Sequence, residues 1–132
     1  MQSHPNQDPP PEHLLSVKDR SNVEWHIGAL LPRIKAGDYL DASVIYLDTL
    51  HEGPYEREFT QALIDVGWQG ALILDDLTLT PGMAEFWKWV CSILPGKAFD
   101  MSEVGHWSGT GVVFFNASRI HFSGYRPRPI PK

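Results

Sequence analysis

Cysteine is almost absent from the chain. Cys91 is the only one among 132 residues, so no internal disulfide can form, and a reducing compartment suits the protein. Cys91 falls beside Val90 in a helical pattern, and this places it as a packing thiol rather than a nucleophile. Long apolar runs are also missing. None approaches the roughly 20 residues of a membrane helix, and no basic segment leads into an apolar one at the N-terminus as in a secretory signal. Cytoplasmic residence with no membrane partner is therefore expected. Positive charge is in deficit as well: 11 Lys and Arg against 16 Asp and Glu leave a net charge of −5, and no basic run occurs. A general phosphate-backbone binder needs a clustered excess of cations, so nucleic acid is excluded as a partner. Finally, no G-x-G precedes Gly109-Thr110-Gly111, so the Gly-rich turn of a dinucleotide-type fold is lacking upstream.

What remains is ordinary globular composition, 42% hydrophobic and 20% charged, enough for one domain. Residues 1–20, with Pro9, Pro10 and Pro11 and few apolar side chains, read as a disordered arm. Residues 117–132, ending YRPRPIPK, read as an irregular tail. The body is expected at residues 21–116.

Within it, Asn22 to Gly28 alternates apolar and polar residues like a half-buried strand. Residues 29–40 are ambiguous, because Pro32 and Gly37 interrupt a weak helical pattern. Ser43-Val44-Ile45-Tyr46-Leu47-Asp48 and Ala71-Leu72-Ile73-Leu74-Asp75-Asp76 are continuous apolar runs closing on acids, as in parallel strands buried on both faces. Between them Pro54 opens a helix with Tyr55, Phe59, Ala62, Leu63 and Val66 on its apolar side, Glu56 among the residues opposite, and Gly67 at its end. Met83, Phe86, Trp87, Val90 and Leu94 repeat the stripe, with Trp89 off it and exposed, until Pro95-Gly96. Residues 97–100 and 111–115 then form an antiparallel edge pair around a turn that holds His106 and Trp107. The order β-β-α-β-α-β-β gives an open α/β sheet with helices on its faces.

Open α/β sheets bind ligands outside the carboxyl ends of their strands. If the two acid-closed strands are neighbours, about 4.8 Å apart, Asp48, Asp75 and Asp76 converge. Carboxylates so close repel unless a cation sits among them, and oxygen donors suit Mg²⁺. Capping of the following loops is the simpler role for each acid taken singly. His51, three residues past Asp48, can accept a proton from a substrate hydroxyl at that edge. His106 and Trp107 most simply cap and pack the hairpin.

The stretch IYLDTLHEGPYEREFTQALIDVGWQGALILDDLTLTPGMAEFWKWV resembles the core of a family of class I methyltransferases that includes macrocin O-methyltransferases and cephalosporin-hydroxylase-like proteins. Asp48, the D-x-x-H step to His51, and the pair Asp75-Asp76 match that family's positions, with Glu52 where members often carry a second aspartate. VGHWSGTGVVFF is similar to the terminal hairpin of related members, and the likeness runs from about Asn22 to Asn116.

The resemblance implies a partial Rossmann-like methyltransferase sheet whose first two strands are absent. It further implies S-adenosylmethionine as methyl donor, Mg²⁺ held by Asp48, Asp75 and Asp76, His51 as general base, and a small-molecule hydroxyl substrate. The expected function is metal-assisted O-methyl transfer, or the C-terminal half of such an enzyme. The alternative is a non-catalytic remnant or interaction domain that keeps the fold without the cofactor. Without the first strand, Val44 to Leu47 would lie on an open apolar edge, and a complementing chain, the Trp25 strand or a second copy is expected to pair there.

Overall fold

The structure, a computed structural model, describes residues 20–116. They fall into two compact units divided between Leu30 and Leu31. In the first unit, residues 20–30 contain no helix or strand. Val23, Trp25 and Ile27 are half-buried while Glu24 and His26 are exposed, so the alternation read from the sequence is present, but the expected strand is not. Alternation decides which side of an extended segment is apolar. It does not supply the row of backbone partners that a ladder requires.

The second unit runs α1 (Leu31–Lys35), β1 (Val44–Leu47), α2 (Pro54–Asp65), β2 (Ala71–Asp75), α3 (Pro81–Ile93), β3 (Ala98–Asp100) and β4 (Thr110–Phe114). The ambiguous segment after Leu30 resolves into the single turn-and-a-half of α1, which buries Ile34. The sheet is mixed, four-stranded and open, in the order β1-β2-β4-β3. β1 and β2 are parallel, Val44 opposite Ala71 and Leu47 opposite Leu74. β4 runs antiparallel to both β2 and β3. The terminal pair is thus antiparallel as expected, but only β3 is an edge strand; β4 is inserted beside β2. Because β4 reverses, β3 points the same way as β1 and β2, and the loops after all three leave one end of the sheet.

Burial alternates along β2 and β4. Leu72 and Leu74, with their partners Leu47, Val113 and Gly111, form a sealed face that shares one core with Phe59, Ala62 and Leu63 of α2 and Met83, Phe86 and Val90 of α3. Gly111 lies so close to the Trp87 ring that an added Cβ would meet it at 2.7 Å. The opposite face, bearing Ala71, Ile73, Val112 and Phe114, is only partly covered, and Val44 and Tyr46 there are each 56% exposed. The expectation of strands buried on both faces is corrected accordingly: an apolar run reports that a strand is hydrophobic, not that two layers cover it. Among the described residues β2 is the only strand partner of β1, so the Val44–Leu47 edge is open as expected.

Two further side chains depart from the sequence reading. Trp89 is half-buried, with the Arg57 guanidinium 4.6 Å from its ring centroid. Glu56, assigned to the polar side of α2, is only 1% exposed. Trp68 is buried in the core, donating its indole N–H to Ala42 O at 2.7 Å and meeting the Phe115 ring at 5.2 Å between centroids and 60° between planes. Burial, and then the charge of Asp100, raises the Cys91 thiol above its ordinary value, as befits a packing residue. Among the described residues no helix is long and apolar enough to cross a membrane.

Candidate metal centre

Parallel pairing of β1 with β2 brings the loop of residues 48–53 beside that of residues 76–80, and the β3–β4 connection closes over the second. The closure is hydrogen-bonded. Leu77 N–H donates to Gly109 O at 3.3 Å, and Thr78 donates to Ser108 O through both its N–H, at 2.8 Å, and its hydroxyl, at 2.6 Å.

At this end of the sheet the His51 imidazole lies between two acids. Its Nε2 is 3.1 Å from Asp48 Oδ1 and 2.9 Å from Asp76 Oδ2. Both distances fit hydrogen bonds, yet neither contact has hydrogen-bond geometry, and Nε2 is shut off from solvent. A buried nitrogen facing two carboxylate oxygens off-axis is poorly served by those oxygens alone. It is well served by a cation between them. Cis ligands at about 2.1 Å from an octahedral ion stand about 3.0 Å apart, the spacing found here. The three ligand atoms all lie within 4.8 Å of one another.

Asp75 and Asp76 are neighbours in sequence but diverge. Asp75 continues the alternation of β2 and accepts the Tyr46 hydroxyl at 3.1 Å on the partly covered face. Partial burial, this hydrogen bond, and the charges of Asp75, Asp48 and Asp76 hold the Tyr46 phenol above its ordinary value. Asp76 turns away in the left-handed region, φ 59°, its N–H capped by Asp75 Oδ1 at 2.9 Å. Its carboxylate is 14% exposed, directed to His51 through one oxygen and to the buried Ser108 hydroxyl through the other. Ser108 in turn contacts His106 Nδ1 at 2.5 Å, and that nitrogen is 3.4 Å from Asp76 and 3.9 Å from Asp75. Asp75, Asp76 and His106 thus form a second cluster that shares Asp76 with the first. Trp107, 82% exposed, touches only the edge of the hairpin through the tilted His106 ring, 5.5 Å away between centroids, rather than packing it.

Of the residues singled out in the sequence, Asp48, His51 and Asp76 are brought to one point, and Asp75 stands beside it. Four side chains that support them escaped notice: Glu56, Thr49, Thr80 and Ser108. Glu56 had a legible signal, since an acid at the third position of a helix reaches back to the backbone before it. Ser108 had none, because its contact with Asp76 spans 32 residues.

No family model, curated protein or solved structure matches this chain.

Proposed function

We propose that the chain binds a divalent cation through Asp48, His51 and Asp76 and that this centre serves O-methyl transfer from S-adenosylmethionine to a small hydroxyl substrate. The carrying observation is the buried His51 Nε2 held without a hydrogen bond between Asp48 and Asp76. Support for the methyl-transfer reading comes from the resemblance over Ile45 to Val90 and from the parallel, acid-ended strands with an antiparallel final pair.

We assign His51 the role of ion ligand rather than general base, because its Nε2 is closed to solvent and already faces both acids. An imidazole in the donor set also moves the preference away from Mg²⁺ toward first-row transition ions, for which Mn²⁺ serves as the probe. Asp75, hydrogen-bonded to Tyr46, lies in the second layer. Such an ion lowers the pKa of a bound hydroxyl and neutralises charge that develops on it. The chain's own contribution is to fix the ligands: the parallel strands set the separation of Asp48 and Asp76, and Ser108 orients the Asp76 carboxylate.

The test is a thermal melt of the chain alone, with Mn²⁺, with Mg²⁺, and with S-adenosylhomocysteine added to each. Stabilisation by Mn²⁺ that is larger than by Mg²⁺ is expected, with a further rise on adding the nucleoside. A melt that no ion moves would sink the metal centre. A melt moved by the ion but not by the nucleoside would favour a domain that keeps the ion and not the methyl donor.

A further inference from the structure

His51 reaches the two acids only because its backbone is held in an unusual state. Its φ is 59°, in the left-handed region that a side chain bearing a Cβ adopts only when its surroundings enforce it. Both of its backbone polar groups are bound. The N–H donates to Glu56 Oε2 at 3.0 Å, and the C=O accepts the Thr80 hydroxyl at 2.7 Å. These two residues stand at the N-termini of α2 and α3, so each helix fixes one of the two peptide groups that flank the His51 Cα.

We infer that Glu56 is a positioning residue: its buried carboxylate sets the loop conformation that carries the His51 imidazole to Asp48 and Asp76. Helix capping alone does not account for it. Glu56 Oε1 accepts the Gly53 N–H at 2.8 Å, the half of a capping box that the start of α2 calls for, and Gly53 has no side chain to return the bond. One oxygen suffices for that. The other, Oε2, serves the loop, taking the Thr49 hydroxyl at 2.5 Å and the His51 N–H. A single carboxylate thereby bonds residues 49, 51 and 53, every second position of the loop between Asp48 and α2. Burial opposes the charge, but the bonds from Thr49 and from backbone N–H groups outweigh it and leave the carboxyl below its ordinary value. The loop has no slack on its other side: a Cβ on Gly53 would meet Gly82 O at 2.5 Å, and one on Gly82 would meet Glu52 O at 1.9 Å.

The effect on the ion rests on the function proposed above; the effect on His51 does not. The experiment therefore has two arms on the full chain, using Glu56→Gln, which keeps the shape but turns an acceptor into a donor. In the first, without any ion, amide hydrogen exchange is followed by NMR. The His51 N–H is expected to lose its protection while Leu63 and Leu72 keep theirs. In the second, Mn²⁺ is titrated into the wild type, Glu56→Gln, His51→Ala and the double variant. Outer-layer partners of a ligand typically contribute about 10–100-fold in metal affinity, so Glu56→Gln is expected to weaken Mn²⁺ by that factor. In the His51→Ala background the factor is expected to fall close to one.

An equal loss in both backgrounds, or an unchanged His51 amide, would overturn the positioning role. If the wild type takes up no Mn²⁺, the metal reading fails and the amide arm decides Glu56 by itself. Should Glu56→Gln not fold, Glu56→Asp, which withdraws the carboxylate from His51 while keeping its charge, replaces it in both arms.

Discussion

Changing Asp75 and Asp76 to asparagine one at a time separates two neighbours that the sequence presents as a pair. Asp76 faces His51 at 2.9 Å, whereas Asp75 faces the Tyr46 hydroxyl at 3.1 Å. At an Mn²⁺ concentration a hundredfold above its dissociation constant, the wild type gains about 2.7 kcal/mol. For a folded body of this size that corresponds to a rise of about 10–20 °C in melting temperature, at about 4–8 °C per kcal/mol. If Asp76→Asn weakens the ion about a hundredfold, the gain at the same concentration falls to about 0.4 kcal/mol, and the shift to about 2–3 °C. Asp75→Asn is expected to keep most of the wild-type shift. The assay is a pair of melts for each variant, with Mn²⁺ and with a chelator, so that each variant serves as its own reference for unrelated stability changes. Equal loss in the two variants would refute the argument, since it would mean that the opposite directions of these carboxylates say nothing about which one holds the ion.

Three other perturbations follow from the same geometry. Gly82→Ala, whose new Cβ would lie 1.9 Å from the backbone oxygen of Glu52, is expected to cost about 1–3 kcal/mol in denaturant unfolding and to weaken Mn²⁺ at the same time, because it displaces the His51 loop. The Glu56 carboxyl lies below its ordinary 4.5 in the folded state, so its contribution is complete above that value and is lost as pH falls through the folded value. The stability gap between wild type and Glu56→Gln, measured by urea melts across pH 3–7, is thus expected to narrow on the acid side; a gap that widens there would contradict the assignment. Along the open edge of β1, where Val44 and Tyr46 are each 56% exposed, pairing with a second copy is proposed. Light scattering is expected to show self-association that Val44→Lys abolishes, and a monodisperse wild-type monomer would count against it.

The sequence by itself determined the elements whose signals are local. Pro54 and Gly67 bound α2, Pro95-Gly96 follows the end of α3, and the two acid-closed apolar runs became β1 and β2, because caps, breakers and periodicity act within a few residues. It also placed Asp48, His51, Asp75 and Asp76 at one end of a sheet, since strand ends are readable once strands are. The strand expected over residues 22–28 did not form, because pairing depends on a distant partner that no local pattern encodes. Only the tertiary structure decided that one face of the sheet is sealed and the other partly bare, that β4 slips in beside β2, and that Asp75 and Asp76 part company. It alone turned Glu56 inward, against its place on the polar side of the helical wheel. Hydrophobic pattern reports the average preference of a face, whereas a buried carboxylate is stable only where several donors meet, and those donors come from a loop whose course is set by the packing of two helices.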